Sequence, residues 1–242
     1  MKYIITERQY KLLSEQEEEE ILTIPYDHFQ DWNILQLFLK RRNNPPYRIS
    51  GNLDLVDSKI ESLGNLRSVI YGNLDLEESS IQSLGELEYV EGNLYLRRTN
   101  IRSLGNLKSV GGNLDLLKTK IRSLKNLESV GGNLNLYLSS IISLGNLKSV
   151  GGSLSSAETP IKSLGNLESV GDDLDLMDTK IESLGNLKSV GGSLDLVGSS
   201  IKSLGNLKSV GGSLFLRRTP ISKKYTEEEI RSMVDVKGKI YL

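Results

Sequence analysis

The side chains that most often carry catalysis are scarce in this chain. Histidine occurs once, as His28, and the sequence contains no cysteine. A nucleophile needs a base within hydrogen-bond reach, and no carboxylate pair marks a cleft where such an arrangement could form. We therefore expect no enzyme, no catalytic residue and no cofactor. The lack of cysteine also excludes disulfides and thiolate metal sites.

Acidic residues recur at one position of a repeated phrase, where stacked carboxylates could offer hard oxygen ligands to a cation. Tyr95, Asn135, Ser155 and Phe215 interrupt the series, and the nonapeptide calcium pattern is absent. We expect a solvated strand face rather than a metal site. The acidic members are Asp54, Asp75, Asp115, Asp175 and Asp195.

A hydroxyl side chain also recurs once per phrase, and ordered hydroxyl arrays on flat solenoids can bind ice. This sequence has a single such column without the paired T-x-T of a flat lattice, so we expect hydrogen bonds to the local backbone instead. The column is Ser58, Ser79, Thr99, Thr119, Ser139, Thr159, Thr179, Ser199 and Thr219. The Gly-Gly-Asn phrases lack the ending of a phosphate loop, and we interpret them as turns.

These columns arise from a 20-residue phrase, G-N-L-D-L-x-x-T-x-I-x-S-L-G-N-L-x-S-V-G, repeated along most of the chain. Such a period is typical of a solenoid, in which each unit buries its apolar face only by stacking on its neighbours. The spacing is 20 residues except for a first interval of 21, which predicts a bulge at Ile70-Tyr71. We number the copies as coils one to nine, starting at Gly51, Gly72, Gly92, Gly112, Gly132, Gly152, Asp172, Gly192 and Gly212.

Each coil is expected to contain one short strand and an irregular return. The L-D-L part alternates with period two, which predicts a half-buried strand with its Leu residues inward. The next apolar residues recur every third position, at Ile101, Leu104, Leu107 and Val110. This spacing suits extended or 3₁₀ segments better than an α-helix. We expect about ten parallel strands, about 4.8 Å apart, in a β-rich solenoid.

Stacking should also align polar columns on the return. Asn65, Asn106, Asn126, Asn146, Asn166, Asn186 and Asn206 are predicted to form a structural ladder. Charges alternate in sign from coil to coil in a second column, except at its end, where two Lys residues follow each other, and this alternation should help register slightly. That column is Arg67, Glu88, Lys108, Glu128, Lys148, Glu168, Lys188 and Lys208.

Residues 1–50 do not repeat and are predicted to form a helical N-terminal cap over the array of residues 51–222. Thr6 and Gln9 form a potential capping box for a helix that extends to about Leu22. A second helix is expected from Asp27 to Arg41-Arg42, because Asn43-Asn44-Pro45-Pro46 should stop it. A cap is needed because a bare solenoid end exposes apolar core and strand edges.

Residues 223–242 are predicted to form the C-terminal cap. Thr226 and Glu229 form a capping box that should open a short helix to about Val234. The segment from Val236 to Leu242 then restates V-G-G-N-L-D-L, which predicts a tenth strand. We expect this strand to close the array.

The phrase from Leu114 to Ile121, L-D-L-L-K-T-K-I, resembles the leucine-rich-repeat core L-x-L-x-x-N-x-L, with Thr or Ser at the Asn position. The G-x-L-x-L and S-V-G-G phrases are similar to repeats of receptor L domains and of tandem repeat proteins from bacteria and phages. The resemblance covers roughly Ile49 to Ile221. It implies a right-handed solenoid with the L-x-L strands on one face, and a binding role.

Charge and hydropathy limit the classes of partner that the chain could bind. The formal net charge is −1, so no field of the whole chain attracts phosphates or an anionic membrane. The first residues, Met1 to Tyr10, lack the apolar run of a signal peptide, and no transmembrane stretch appears. We expect a cytoplasmic monomer that binds neither nucleic acid nor membrane.

The two residues after each L-x-L vary more than any others, and we call them the variable pairs. Drift alone would seldom place Leu, Tyr, Met and Val at exposed positions, which favours a recognition surface. The pairs are Val56-Asp57, Glu77-Glu78, Arg97-Arg98, Leu117-Lys118, Tyr137-Leu138, Ala157-Glu158, Met177-Asp178, Val197-Gly198 and Arg217-Arg218.

Coils three to five bring Tyr and Arg, the residues most enriched at binding hot spots, around an exposed Leu pair. The predicted protein-binding residues are Tyr95, Arg97, Arg98, Leu117, Lys118, Tyr137 and Leu138, with a second cluster at Phe215, Arg217 and Arg218. We expect a module that binds an unidentified protein through the L-x-L strand face. The alternative is a solenoid that adsorbs a surface or small ligand, such as an ice or polysaccharide binder.

Overall fold

The protein is a parallel β-solenoid. The computed structural model describes residues 21–25 and 31–242. Successive coils stack so that equivalent residues pair one repeat apart, as Leu114 with Leu134 and Val110 with Val130. The expected β-rich solenoid with terminal caps is confirmed.

Each coil contributes one strand to each of two parallel sheets, which we call the L-x-L sheet and the S-V sheet. The L-x-L sheet has ten strands, β3 (Leu53–Asp54), β5 (Leu74–Asp75), β7 (Leu94–Tyr95), β9 (Leu114–Asp115), β11 (Leu134–Asn135), β13 (Leu154–Ser155), β15 (Leu174–Asp175), β17 (Leu194–Asp195), β19 (Leu214–Phe215) and β21 (Ile240–Tyr241). The S-V sheet has eleven strands, β1 (Leu22–Pro25), β2 (Tyr47–Ser50), β4 (Leu66–Ile70), β6 (Tyr89–Val90), β8 (Ser109–Val110), β10 (Ser129–Val130), β12 (Ser149–Val150), β14 (Ser169–Val170), β16 (Ser189–Val190), β18 (Ser209–Val210) and β20 (Asp235–Val236).

The second sheet corrects the expectation of an irregular return with one strand per coil. Ser109–Val110 and its equivalents pair as regularly as the L-x-L strands do. The side between the two sheets, which carries Ile101 and its equivalents, is less regular and forms only isolated bridges, such as Ser123 with Ser143. Each coil therefore has three sides, and the inward Leu, Ile and Val residues of all three form one continuous buried core.

A ladder of polar side chains joins the coils between the S-V strand and the L-x-L strand. Asn113 Oδ1 accepts the backbone N–H of Asn133 at 2.7 Å, and the N–H of Asn113 donates to Asn93 Oδ1 at 2.7 Å. Asp and Ser continue the series, since the N–H of Ser193 donates to Asp173 Oδ1 at 2.6 Å. The ladder therefore satisfies one backbone donor per coil along the array.

The Asn column that was expected to form the ladder makes scattered bonds instead. Asn126 Nδ2 donates to the Gly105 carbonyl at 3.0 Å, and Asn166 Nδ2 reaches Asn146 Oδ1 at 3.4 Å. The predicted sign-alternating charge column does form ion pairs, among them Lys148 with Glu128 at 3.0 Å. These side chains are largely exposed, so each pair contributes little to stability.

The Gly-Gly turn brings successive backbones close together. A Cβ on Gly131 would lie 2.0 Å from the Gly111 carbonyl oxygen, so a side chain cannot fit without moving the backbone. The extra residue of the first interval is accommodated at Tyr71, which has a left-handed φ of 55° and an 80% exposed side chain. This agrees with the bulge predicted at Ile70-Tyr71.

The N-terminal cap combines a helix with two strands. Helix α1 (Trp32–Lys40) buries Trp32, Leu35 and Leu39 against the core, while β1 and β2 extend the S-V sheet by two strands. The helix begins later than predicted, because Asp31 has an extended backbone and its carboxylate accepts the N–H of Asn33 at 2.7 Å. The helix expected from Thr6 lies outside the described residues, apart from Ile21, which is in neither a helix nor a strand, and Leu22, which begins β1.

The C-terminal cap matches its prediction. A 3₁₀ turn (Ile221–Lys223) precedes helix α2 (Glu227–Met233), which Thr226 and Glu229 cap reciprocally. The last strand, β21, pairs with β19 so that Ile240 aligns with Leu214. The predicted tenth L-x-L strand is therefore confirmed.

Candidate functional site

The variable pairs occupy the turn that follows each L-x-L strand, and stacking aligns them into a ridge along the solenoid. The second residue of every pair has a left-handed backbone, with φ between 54° and 69° in all nine coils. The backbone of the turn is thus nearly the same throughout, while its side chains change from coil to coil. We call this surface, formed by the nine variable pairs, the variable ridge.

The outward acidic residues shape this turn. Asp115 Oδ1 accepts the backbone N–H of Leu117 at 3.0 Å, and Asp175 and Asp195 accept from Met177 and Val197 in the same way. Burial raises the pKa of the Asp175 carboxyl, and the neighbouring Asp195 raises it further. The acidic column therefore has a structural role, and no group of three His, Cys, Asp or Glu residues within the described part could hold a metal ion.

The Ser/Thr column is buried beneath the ridge, apart from the partly exposed Ser58. Thr119 Oγ1 donates to the Leu116 carbonyl at 2.9 Å, and Thr179 makes the same bond to Leu176 at 2.7 Å. Thr119 is only 2% exposed. The expected hydrogen bonds to local backbone are present at six of the nine positions, Ser79, Thr99, Thr119, Thr159, Thr179 and Thr219. The hydroxyls of Ser58, Ser139 and Ser199 form no hydrogen bond within the described residues. The column offers no ordered surface array.

Arg97 and Arg98 of coil three are held by acidic neighbours. Arg97 Nε lies 3.5 Å from Glu77 and 3.6 Å from Asp115, so it bridges the coils on both sides. Arg98 pairs with Glu78 at 2.6 Å. Both side chains remain accessible, which leaves part of each guanidinium open to a partner.

Tyr95, Leu117 and Tyr137 line the strand-side flank of the ridge and are half-buried. Tyr137 donates its hydroxyl proton to Glu158 at 3.1 Å, and this bond raises the pKa of the Tyr137 hydroxyl. Leu138 has a left-handed backbone and is 40% exposed. The structure thus places these predicted residues on one surface, together with the exposed Lys118.

The second predicted cluster is built on an aromatic stack. The rings of Phe215 and Tyr241 lie 4.7 Å apart and 2° from parallel, and the Arg217 guanidinium lies 5.3 Å from the centre of the Tyr241 ring. Arg218 reaches past Gly198 to Asp178 at 3.7 Å. Tyr241 was not among the predicted residues, although the register of the tenth strand pairs it with Phe215.

Coil nine lies four coil steps from coil five, so the two predicted clusters are roughly 19 Å apart at the strand spacing. Ala157 and Met177 lie between them on the ridge, and Ala157 is buried. The structure brings the seven residues of coils three to five together but does not join them to Phe215, Arg217 and Arg218.

A shallow groove of about 500 Å³ runs along the outside of the S-V sheet. Its lining consists mainly of Ser, Val and Gly residues from coils five to eight, such as Ser169 and Gly171. His28 lies outside the described residues. In the described part of the chain, no helix is long and apolar enough to span a membrane.

No protein-family model matches the chain, and no curated protein matches it.

Proposed function

We propose that this protein is a non-enzymatic, cytoplasmic module that binds another protein through the variable ridge. The contact residues would be Tyr95, Arg97, Arg98, Leu117, Lys118, Tyr137 and Leu138, with Phe215, Arg217 and Arg218 as a second contact. We further propose that the array belongs with leucine-rich-repeat-like proteins, including those of bacteria and phages, on the basis of its L-x-L-x-x-T/S-x-I phrase.

The observation that carries the proposal is a contrast between two turns of the same coil. Both have a residue with left-handed φ, a conformation that costs an ordinary residue about 1 kcal/mol or more but costs glycine little. After the Ile side of the coil, this residue is glycine in seven of eight coils, and Lys125 is the exception. In the variable pairs it is glycine in only one of nine, at Gly198.

Side chains are therefore retained on the ridge at a backbone cost that glycine would remove. Stability does not account for them, since Arg98, Lys118 and Leu138 are exposed and exposed groups contribute little. Binding to another molecule would account for them, because a partner would contact these side chains.

Affinity capture with matched variants tests the proposal. We expect Tyr137→Ala and Arg97→Ala each to weaken the binding of a captured partner by about 1 kcal/mol or more. Neither change should lower the thermal stability of the protein. The control is Lys148→Ala, which removes an exposed charge from coil five on another side of the solenoid. Equal effects from the ridge variants and the control would rule out the ridge as the contact.

The alternative function is adsorption of an ice or polysaccharide surface. The buried Ser/Thr column cannot provide such a surface, so the alternative depends on the Ser- and Gly-lined groove of the S-V sheet. Thermal hysteresis and a glycan array test it directly. The alternative would be favoured if Ser169→Lys abolishes adsorption and Tyr137→Ala leaves it unchanged.

A further inference from the structure

Charge is distributed unevenly along the solenoid, although the chain as a whole is nearly neutral. Coils three and four, residues 92–131, hold eight basic and two acidic residues, a net charge of +6. Coils one and two, residues 51–91, hold two basic and nine acidic residues, a net charge of −7. The whole-chain value of −1 therefore conceals a strongly basic segment next to a strongly acidic one.

Internal ion pairs use only three of the eight cations. Arg97, Arg98 and Lys108 pair with acidic residues of neighbouring coils. The remaining five are exposed and form no ion pair within the described residues. We call these five the basic patch, and they are Arg102, Lys118, Lys120, Arg122 and Lys125.

The arrangement of the patch is unfavourable by itself. Arg102 and Arg122 occupy the same column one coil apart, at about the 4.8 Å strand spacing, so two like charges are neighbours. Farther along the same column Lys162, Glu182 and Lys202 alternate in sign, and Lys202 pairs with Glu182 at 2.9 Å. Neither arginine forms an ion pair within the described residues, although Glu61 lines the same surface pocket as Arg102 and Lys120. A bound anion would offset the repulsion between the two arginines.

Backbone hydrogen bonds between successive coils are also missing at Arg102 and Arg122 in the described part of the chain. Ile142 N–H donates to the Arg122 carbonyl at 2.9 Å, and Gln82 N–H donates to the Glu61 carbonyl at 2.9 Å. Within residues 31–242, no equivalent bond joins Arg102 to Gln82 or Arg122 to Arg102. The two successive coil junctions beneath the patch thus lack a bond that flanking junctions have, and the junction between Glu182 and Lys162 farther along the column lacks it as well.

We propose that the basic patch binds a short acidic segment of a partner protein. Two guanidiniums and three ammonium groups on adjacent coils offer several charge-assisted hydrogen bonds to carboxylates. The segment would be short, because a long polyanion running along the array would meet the repulsive charge of coils one and two. The proposal rests on the proposed function, since it assumes a protein partner, and Lys118 joins the patch to the variable ridge.

A fluorescent peptide of ten glutamates, titrated into the full chain, tests the proposal. We expect Arg102→Glu with Arg122→Glu to weaken its affinity about tenfold or more, and added salt to weaken wild-type binding steeply. The control is Lys162→Glu with Lys202→Glu, which makes the same two changes in the same column and should alter affinity less than about twofold. The double variant Arg102→Gln with Arg122→Gln should also weaken the affinity for the peptide, by a smaller factor.

Three results would overturn the inference. The first is equal weakening by the patch and control variants, which would show a general electrostatic effect. The second is tighter binding of a single-stranded oligonucleotide through the same two arginines. The third is salt-sensitive self-association in light scattering that the patch variant abolishes, since the acidic coils of a second copy would then be the occupant.

The same variants separate this inference from the proposed function. Capture of a partner that depends on Tyr137 but not on the patch would leave the ridge proposal standing and reject the acidic segment. Peptide binding that depends on Arg102 and Arg122, without any capture that depends on Tyr137, would support the acidic segment and reject the ridge as the contact. Circular dichroism melting of each variant verifies that the solenoid remains folded.

Discussion

Leu134 shows how strongly one inward residue should support the stack. It lies in the L-x-L column of coil five and is 1% exposed. Replacing it with Ala should lower the free energy of unfolding by about 2–5 kcal/mol, because the thin core cannot close the cavity. Nearest-neighbour coupling should spread the damage to adjacent coils.

Chemical denaturation measures this loss. Lys148→Ala in the same coil is the control, and its effect should stay below about 0.5 kcal/mol. A midpoint for Leu134→Ala equal to that of the wild type would contradict the buried column.

At the scale of single residues, inward positions were predictable and local roles were less so. The Leu, Ile and Val columns follow from the repeat, because the pattern identifies them in every coil. The Asp115 bond to the Leu117 N–H is an Asx turn, which Asp commonly forms, but the alternating L-D-L pattern indicated only a strand there. The left-handed φ of Lys118 could not be deduced, since Lys rarely adopts it. Ser156 of coil six stands where the other coils have Leu, which predicts a local weak point there. Ser156 is buried and its hydroxyl lies 2.9 Å from that of Thr159.

At the scale of elements, the polar ladder should contribute one hydrogen bond per coil junction. Asn113→Ala leaves the N–H of Asn133 without its acceptor and should lower the free energy of unfolding by about 1 kcal/mol. Asn126→Ala is the matched control, because its exposed amide bonds only to the Gly105 carbonyl. Urea titration distinguishes them, and equal losses would mean that the ladder has no special role.

The N-terminal cap should lose stability in alkaline solution through Tyr47. Its hydroxyl donates to the Leu63 carbonyl at 3.2 Å and accepts from Gln36 Nε2 at 3.3 Å. Burial raises the pKa of this hydroxyl from 10.0 to about 12, and the Gln36 hydrogen bond opposes the rise. The folded state thus favours the neutral phenol, so its contribution is complete below pH 10 and declines as pH rises towards 12.

Urea unfolding of the wild type between pH 8 and pH 12 should show this decline. Tyr47→Phe should reduce it, whereas Tyr71→Phe, which changes an 80% exposed ring, should leave it unchanged. If Tyr47→Phe loses stability with pH as steeply as the wild type does, the buried hydroxyl is not its source.

The L-x-L sheet could be predicted and the S-V sheet could not, for a physical reason. Leu104 and Leu107 flank the Gly105-Asn106 turn, and Val110 ends a separate two-residue strand. Their spacing of three therefore results from a corner followed by a strand, which the sequence pattern does not distinguish from a 3₁₀ segment. The two Asn columns were equally ambiguous, because only stacking decides which one meets the next coil's N–H.

At the scale of the whole molecule, the solenoid separates a regular frame from a variable surface. Two sheets and a polar ladder fix the backbone of each coil, and in six coils a hydroxyl bonded to the backbone supports it. Charge and apolar side chains then differ from coil to coil on the outside. The near-neutral total charge predicted no electrostatic role, because a sum over the chain averages the acidic coils one and two with the basic coils three and four.

The central claim is that the variable ridge retains side chains for contact with a partner rather than for stability. The free energy of unfolding of the triple variant Arg98→Gly, Lys118→Gly and Leu138→Gly tests it most directly. Glycine relieves three left-handed residues, while the exposed Arg98–Glu78 pair contributes little, so stability should stay unchanged or rise by up to about 1 kcal/mol per site. A loss of about 1 kcal/mol or more per site would contradict the claim, because these side chains would then be needed to hold the solenoid together.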